Sequence, residues 1–290
     1  MTSLPRHLLA TILFALIAGG CIQQMAIRTV AGIIDEYGFA TINEETDLAL
    51  AEQSIASNLK LVEILAKGDP GNENLFRLLS MAYTSYSLGF VEDDSLERAR
   101  MLYLRGRDYG LRVLKENHRF AASLTKNIDE FRAALRTLSK NDVPTVFWTA
   151  AAWGGYINTT LTEPAALADI PRVEAMMQHV AEQDSSFFFG GAHIFLGTIY
   201  GGRPRLLGGD PEKARQHFEQ ALRIGNGKFL LTHVYYARSY AVQVQDSELF
   251  DRLLTTVDTT SVDILPEVRL TNAIAKKKAQ FLRSRMSIYF

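Results

Sequence analysis

The chain has one cysteine, Cys21, in 290 residues. No intramolecular disulfide can form, and no cysteine-based zinc site can be assembled. Histidine is almost as sparse: His7, His118, His179, His193, His217 and His233. None of them forms an HExxH pair. A metal site would have to be gathered from separated helices, for example from His193, His217 and His233, and no metal is expected. Charge of one sign is also missing, with 31 basic against 32 acidic residues and a formal net charge of -1. Neither the basic stripe of a nucleic-acid binder nor an acidic tail is present. Beyond the N-terminus there is no long apolar run and no period-two alternation, so neither a second membrane span nor a sheet is expected. Phosphate-loop and nucleophile-elbow patterns are absent too, which leaves no catalytic constellation and no cofactor motif.

What is present is helical punctuation along a chain that is 47% hydrophobic. The first 20 residues carry one early charge, Arg6, an apolar run from Leu8 to Ala18, and then Gly19 and Gly20 before Cys21. This is the layout of a secretory signal peptide, too short to remain as a spanning helix. Small residues directly before a cysteine resemble the bacterial lipoprotein signal, with Ala18 where leucine is usual. Cys21 is therefore the expected lipidation site, and several acyl chains would be needed for a firm anchor. By similarity to lipoproteins, Ile22 after the cysteine favours the periplasmic side of the outer membrane. The expected organisation is a signal peptide over 1–20, an anchoring linker over 21–40 that is only partly ordered, and one helical domain over 41–290.

Within that domain, Thr41 or Asn43 is the expected cap of a first helix through Leu48, Ala51, Ile55, Leu59, Val62 and Leu65, which KGDPGN ends. The segments Asn72 to Phe90 and Asp94 to Asn117 read as a hairpin, and Phe120 to Ser139 as one amphipathic helix. The stretch from Pro144 to Ile157 is apolar on nearly every side and is the expected central helix. Its Trp148 and Trp153, beside Ala150 to Ala152, suit either plain core or the walls of a ligand cavity. Phe187, Phe188 and Phe189 cannot all face one side of a helix, so at least one should meet a groove or a neighbouring subunit.

The clearest organisation runs from Gly191 to Gly227. Leu196, Gly197 and Tyr200, then Ala214, Phe218 and Ala221, have the spacing of the two helices of a tetratricopeptide (TPR) unit. Ala99, Tyr103 and Gly106 repeat the small, aromatic, small order. The connecting loop GGRPRLLGGDP is longer than a simple TPR turn, and long loops often carry binding residues. Its Arg203 and Arg205 are suited to hold an anion or a partner by bidentate bonds, or to pair with carboxylates and brace the loop. Tyr200 and Phe187 join the two tryptophans as candidate cleft residues. Lys276, Lys277 and Lys278 in the closing helix read as a solvated face. The expected class is all-α, antiparallel hairpins in a TPR-like superhelical bundle.

Four segments together carry a resemblance: ERARMLYLRGRDYGLRVL, NDVPTVFWTAAAWGGYI, RPRLLGGDPEKARQHFEQAL and FLLTHVYYARSYAVQVQDSELFDRLL. In order and spacing the chain resembles the T-component, the TPR-containing periplasmic lipoprotein of tripartite ATP-independent periplasmic (TRAP) transporters. The resemblance implies a lipid-anchored, non-enzymatic helical protein associated with the TRAP substrate-binding protein. It also implies a homotrimer whose subunits each have a channel or cleft for an apolar small molecule. The rival expectation is a TPR scaffold for protein assembly in the envelope, which would bind only proteins.

Overall fold

The computed structural model describes residues 23–290, so the signal segment and Cys21 lie outside the described residues. Residues 23–44 form helix α1, with a π-helical turn at Ile34–Gly38. The linker was expected to be partly ordered to Ala40, but it is helical and held down. Arg28 pairs with Asp69 at 2.9 Å, Arg77 with Asp35 at 2.9 Å, and Ala31 is buried. The next helix, α2, spans Leu48–Gly68. Its cap is Asp47 and not Thr41 or Asn43, because the Asp47 carboxylate accepts the amides of Ala49 and Leu50.

Helix α3, Glu73–Tyr86, runs on through a π-helical turn at Ser87–Val91 and pairs with α4, Leu96–Leu114. Ser95 caps α4 by accepting the Arg98 amide. A side chain on Gly106 would begin 3.1 Å from the Thr84 hydroxyl and 3.3 Å from Ala152, so glycine sets how closely three helices meet. The expected single helix over Phe120–Ser139 is two, α5 at His118–Ser123 and α6 at Ile128–Leu135. The break is local chemistry: the Asn127 carboxamide accepts the amides of Asp129 and Glu130 and starts a new helix. The Phe120 and Phe131 rings, 5.6 Å apart, fold the two pieces together.

The expected central helix is α7, Val143–Asn158, with Pro144 in its first turn and ten buried residues. Around it follow α8 at Ile170–Gln183, α9 at Phe187–Gly201 and α10 at Pro211–Ile224. Helices α9 and α10 approach closely where an added Cβ on Gly197 would stand 2.9 Å from the Phe218 ring, and on Gly201 3.2 Å from Ala214. Helix α11, Leu230–Tyr236, again ends in a π-helical turn, Ala237–Ala241, before α12 at Ser247–Thr259. Among the described residues there is no strand, and the chain is all-α.

The last long helix, α13, Arg269–Ser284, returns to the beginning of the chain. Its Leu270 and Ile274 belong to the core of α1 to α4, while Ala275, Ala279 and Leu282 belong to the core of α9 to α12. Ile274 fills the space opposite Gly89, where an added Cβ would be 2.8 Å away. Lys278 corrects the reading of the lysine run as solvent-facing. It is 3% exposed and reaches Glu92 at 2.8 Å and Asp93 at 2.7 Å. Burial alone would lower its pKa, but the two carboxylates raise it above the ordinary lysine range.

Removing Lys278 strands two acids at the junction of the chain's ends. Lys278→Ala is expected to cost about 3 kcal/mol or more in urea unfolding. Lys277→Ala, on the exposed side of the same helix, should stay within about 0.5 kcal/mol.

Candidate functional site

Helices α3, α7, α9 and α11 contribute most of the wall of a cavity of about 380 Å³ that is open on one side to the surface. Glycines hold it open as much as large side chains wall it. The Tyr103 ring lies 2.5 Å from where a Cβ on Gly155 would be, and the Phe195 ring occupies the place of one on Gly154. On α7 the wall includes Phe147, Trp148 and Ala151. On α9 positions 191, 194, 195, 198 and 199 line it, one helical face, and Gly202 and Arg203 just past the helix end continue the wall. The helices α3 and α11 reach it where their π-helical turns begin, through Ser85 and Leu88 on one and Tyr235 and Arg238 on the other. A π turn shifts the side chains that follow it, and such turns recur at functional sites.

At the N-terminal end of α9 the backbone is bent by three left-handed residues, Phe188 (φ 47°), Phe189 (φ 57°) and Gly190 (φ 76°). For two phenylalanines this conformation costs on the order of 1–3 kcal/mol each. Ring packing offsets it. Phe188 lies 4.9 Å from Trp148 and 5.6 Å from Phe229, and Phe189 stacks on Phe229 at 5.1 Å. Phe39 of α1 also meets Phe188, at 6.3 Å. The bend therefore separates the three phenylalanines that cannot share a helix face and sends Phe188 into the cavity.

The polar groups of the wall differ in how well they are paired. Tyr103 donates to Glu92 at 2.5 Å, Glu92 also accepts from Lys278, and Arg238 lies 3.9 Å from Glu92. Burial and the neighbouring Glu92 push the Tyr103 hydroxyl well above its ordinary pKa, so it remains a donor. Arg203 is different. Its Nε donates to the Ile199 carbonyl at 2.9 Å, and its terminal nitrogens have no partner among the described residues. Burial pulls its pKa below the usual arginine value.

The residues singled out from sequence divide. Trp148 lines the cavity; Trp153 is buried beside it, with its Nε1 donating to Asp169 at 3.2 Å. Phe187 packs on Phe147 at 5.3 Å and is not part of the wall. Tyr200 also stands outside the wall. Its hydroxyl donates to Glu174 at 2.7 Å, and burial, with Glu174, pushes its pKa up to about 12. Arg203 is in the wall, whereas Arg205 is exposed at the loop tip with Leu206 and Leu207. Among the described residues neither arginine has the carboxylate partner that would brace the loop. Sequence reasoning passed over Phe195, Tyr235 and Arg238; for Phe188 the run of three phenylalanines gave the signal, because three adjacent rings cannot share one helix face and one was expected to meet a groove.

Of the three histidines considered for a metal, the fold brings two together. His193 and His217 have their Nδ1 atoms 2.9 Å apart, while His233 bonds the Gly227 carbonyl. Among the described residues no group of three or more potential ligands gathers, and no helix is long and apolar enough to cross a membrane.

Comparison with known proteins decides the family. The sequence model of a family described as "TRAP transporter T-component" matches residues 44–290, nearly all of the described chain. The chain belongs to this T-component family. A relative from Treponema pallidum (strain Nichols), carrying only the name "Uncharacterized protein", is 26% identical in an alignment 266 positions long that covers 85% of this chain and 81% of the relative. As a T-component the chain has an accessory role in a TRAP transporter, and the family is one of transporter components.

The histidine pair at the α9–α10 contact gives this T-component a pH signature. Burial first, then His193 and Lys213, lower His217 to about 4, and burial and Arg223 lower His193. Tyr200 stacks on His217 and stays uncharged in this range. The folded pKa lies below the ordinary 6.5, so the pair's contribution is complete above that value and is lost as the pH falls toward 4. Between pH 7 and pH 4, unfolding free energy should fall by about 2 kcal/mol more in the parent than in His217→Gln, allowing for partial exposure. Parallel pH profiles from denaturant unfolding would contradict this.

Proposed function

We propose that the chain is the lipid-anchored, non-enzymatic accessory subunit of a TRAP-type uptake system. It docks the periplasmic substrate-binding protein and holds or passes an apolar or amphipathic ligand through its cavity. The observation that carries the ligand half is the cavity itself. Its roughly 380 Å³ falls in the range of small-molecule sites, about 300–1,000 Å³, which are mostly apolar with a few placed polar groups. Well-packed interiors leave few voids larger than a water molecule, so a space this size beside strained phenylalanines is not ordinary core.

The anchoring half is supported by Gly19 and Gly20 before Cys21 and by the apolar run that precedes them. Acylation of Cys21 would hold the body at the periplasmic side of the outer membrane. Uptake energy would come from an ion gradient through a separate membrane subunit, and the working form would be a homotrimer.

Filling the cavity separates ligand holding from folding. Ala151 lines the cavity, so Ala151→Phe is expected to weaken binding of an apolar fluorescent probe at least tenfold while leaving the thermal midpoint unchanged or higher. Unchanged probe affinity would contradict the ligand half. Trp148→Ala should reduce binding and also cost about 3–5 kcal/mol, because a large buried ring is removed. For docking, the non-acylated Cys21→Ser chain should co-purify with the substrate-binding protein under mild conditions. Failure to do so, with envelope assembly proteins recovered instead, would favour the scaffold reading.

A further inference from the structure

The cavity is elongated and chemically uneven. The wall along α9 and the two residues after it runs from Gly191 to Arg203, and at about 1.5 Å of rise per residue the helical part to Gly201 alone is roughly 15 Å. One end is aromatic, with Phe147, Trp148, Phe188 and Phe229. The other end holds the Arg203 guanidinium. The two charged wall residues that could be compared with it, Glu92 and Arg238, lie near one another, and Glu92 is also paired with Lys278, so their charges are already answered inside the protein.

Arg203 has no carboxylate in direct contact among the described residues. Its Nε is committed to Ile199, and the loop after it folds back so that Gly208 lies against the guanidinium: an added Cβ there would be 3.6 Å from one terminal nitrogen. Asp210, the acid of this loop, is occupied as the cap of α10, where it accepts the Lys213 amide. Glu174, the acid whose field reaches Arg203, is engaged by Tyr200 at 2.7 Å and Gln178 at 3.0 Å. Residues 1–22 contain no aspartate or glutamate. A half-buried cation with no carboxylate in contact has only the distant field of Glu174 to offset its desolvation, and the fork of its two terminal nitrogens matches a planar, two-oxygen anion.

We infer that the ligand of this cavity is a single-chain amphipathic carboxylate, its hydrocarbon lying along α9 toward Phe188 and its carboxylate held by the terminal nitrogens of Arg203. The inference rests on the ligand-holding reading above and gives it a chemical class. The length and volume suit one extended chain. The guanidinium makes the site select against a cationic head and prefer an anion to a neutral alcohol.

The test uses the exported chain with Cys21→Ser and three probes that share one tail: dodecanoate, dodecanol and dodecyltrimethylammonium, each below its aggregation concentration, measured by titration calorimetry. The parent is expected to bind dodecanoate at least tenfold more tightly than dodecanol and to bind the ammonium probe least. Arg203→Met should abolish the preference while leaving dodecanol affinity unchanged, which also reports that the cavity is intact. Arg203→Lys should keep part of the preference, and Arg205→Met all of it. Equal affinity for dodecanoate and dodecanol in the parent, or a preference that survives Arg203→Met, overturns the carboxylate assignment alone. No binding of either dodecanol or dodecanoate overturns both this inference and the ligand-holding reading.

Discussion

The structure depends on the return of the last helix to the first hairpins. Lys278 is sealed between Glu92 and Asp93, and Ile274 sits where Gly89 leaves room. A buried lysine is tolerable only with its partners in place, so the contact specifies one register of α13 against the end of α3. The cores of α1 to α4 and of α9 to α12 share this helix. With the two ends of the chain fixed together, the helices between them cannot slide inward to fill the space they surround.

That space persists for reasons visible at single residues. Gly154 and Gly155 let the rings of Phe195 and Tyr103 occupy positions that side chains on α7 would otherwise take. The left-handed bend at Phe188 and Phe189 directs one ring into the cavity and stacks the other on Phe229. The π-helical turns of α3 and α11 present Leu88 and Arg238 to the same cavity from hairpins about 150 residues apart in sequence, at Ser87–Val91 and Ala237–Ala241. Each device has a local energetic cost that only the surrounding packing offsets. Together they leave a largely apolar cavity with a guanidinium in its wall.

Much of the fold was legible because it is written locally. Pro144 marks the start of the central helix, and Gly197 opposite Phe218 gives the close approach that small, aromatic, small spacing implies. What was not legible depends on contacts distant in sequence. Lys278 reads as solvated beside two other lysines, and only the return of α13 to Glu92 buries it. Residues 23–44 have no clear helical period, yet Arg28 and Asp35 find partners at the end of α2 and on α3 that hold them. Asn127 competes with the helix around it through its own side chain, which a periodicity argument over Phe120–Ser139 ignores. For the site, two tryptophans five residues apart on α7 point to different neighbours, one to the cavity and one to Asp169, and composition alone treats them alike.

The central claim is that closure of the helices leaves a binding passage along α9, and a crystal structure of the chain soaked with dodecanoate tests it most directly. The account predicts continuous density along the α9 face from Phe188 to Arg203, with the carboxylate within hydrogen-bond distance of the guanidinium. Density confined to the protein surface, or side chains filling the interior in its place, would contradict it.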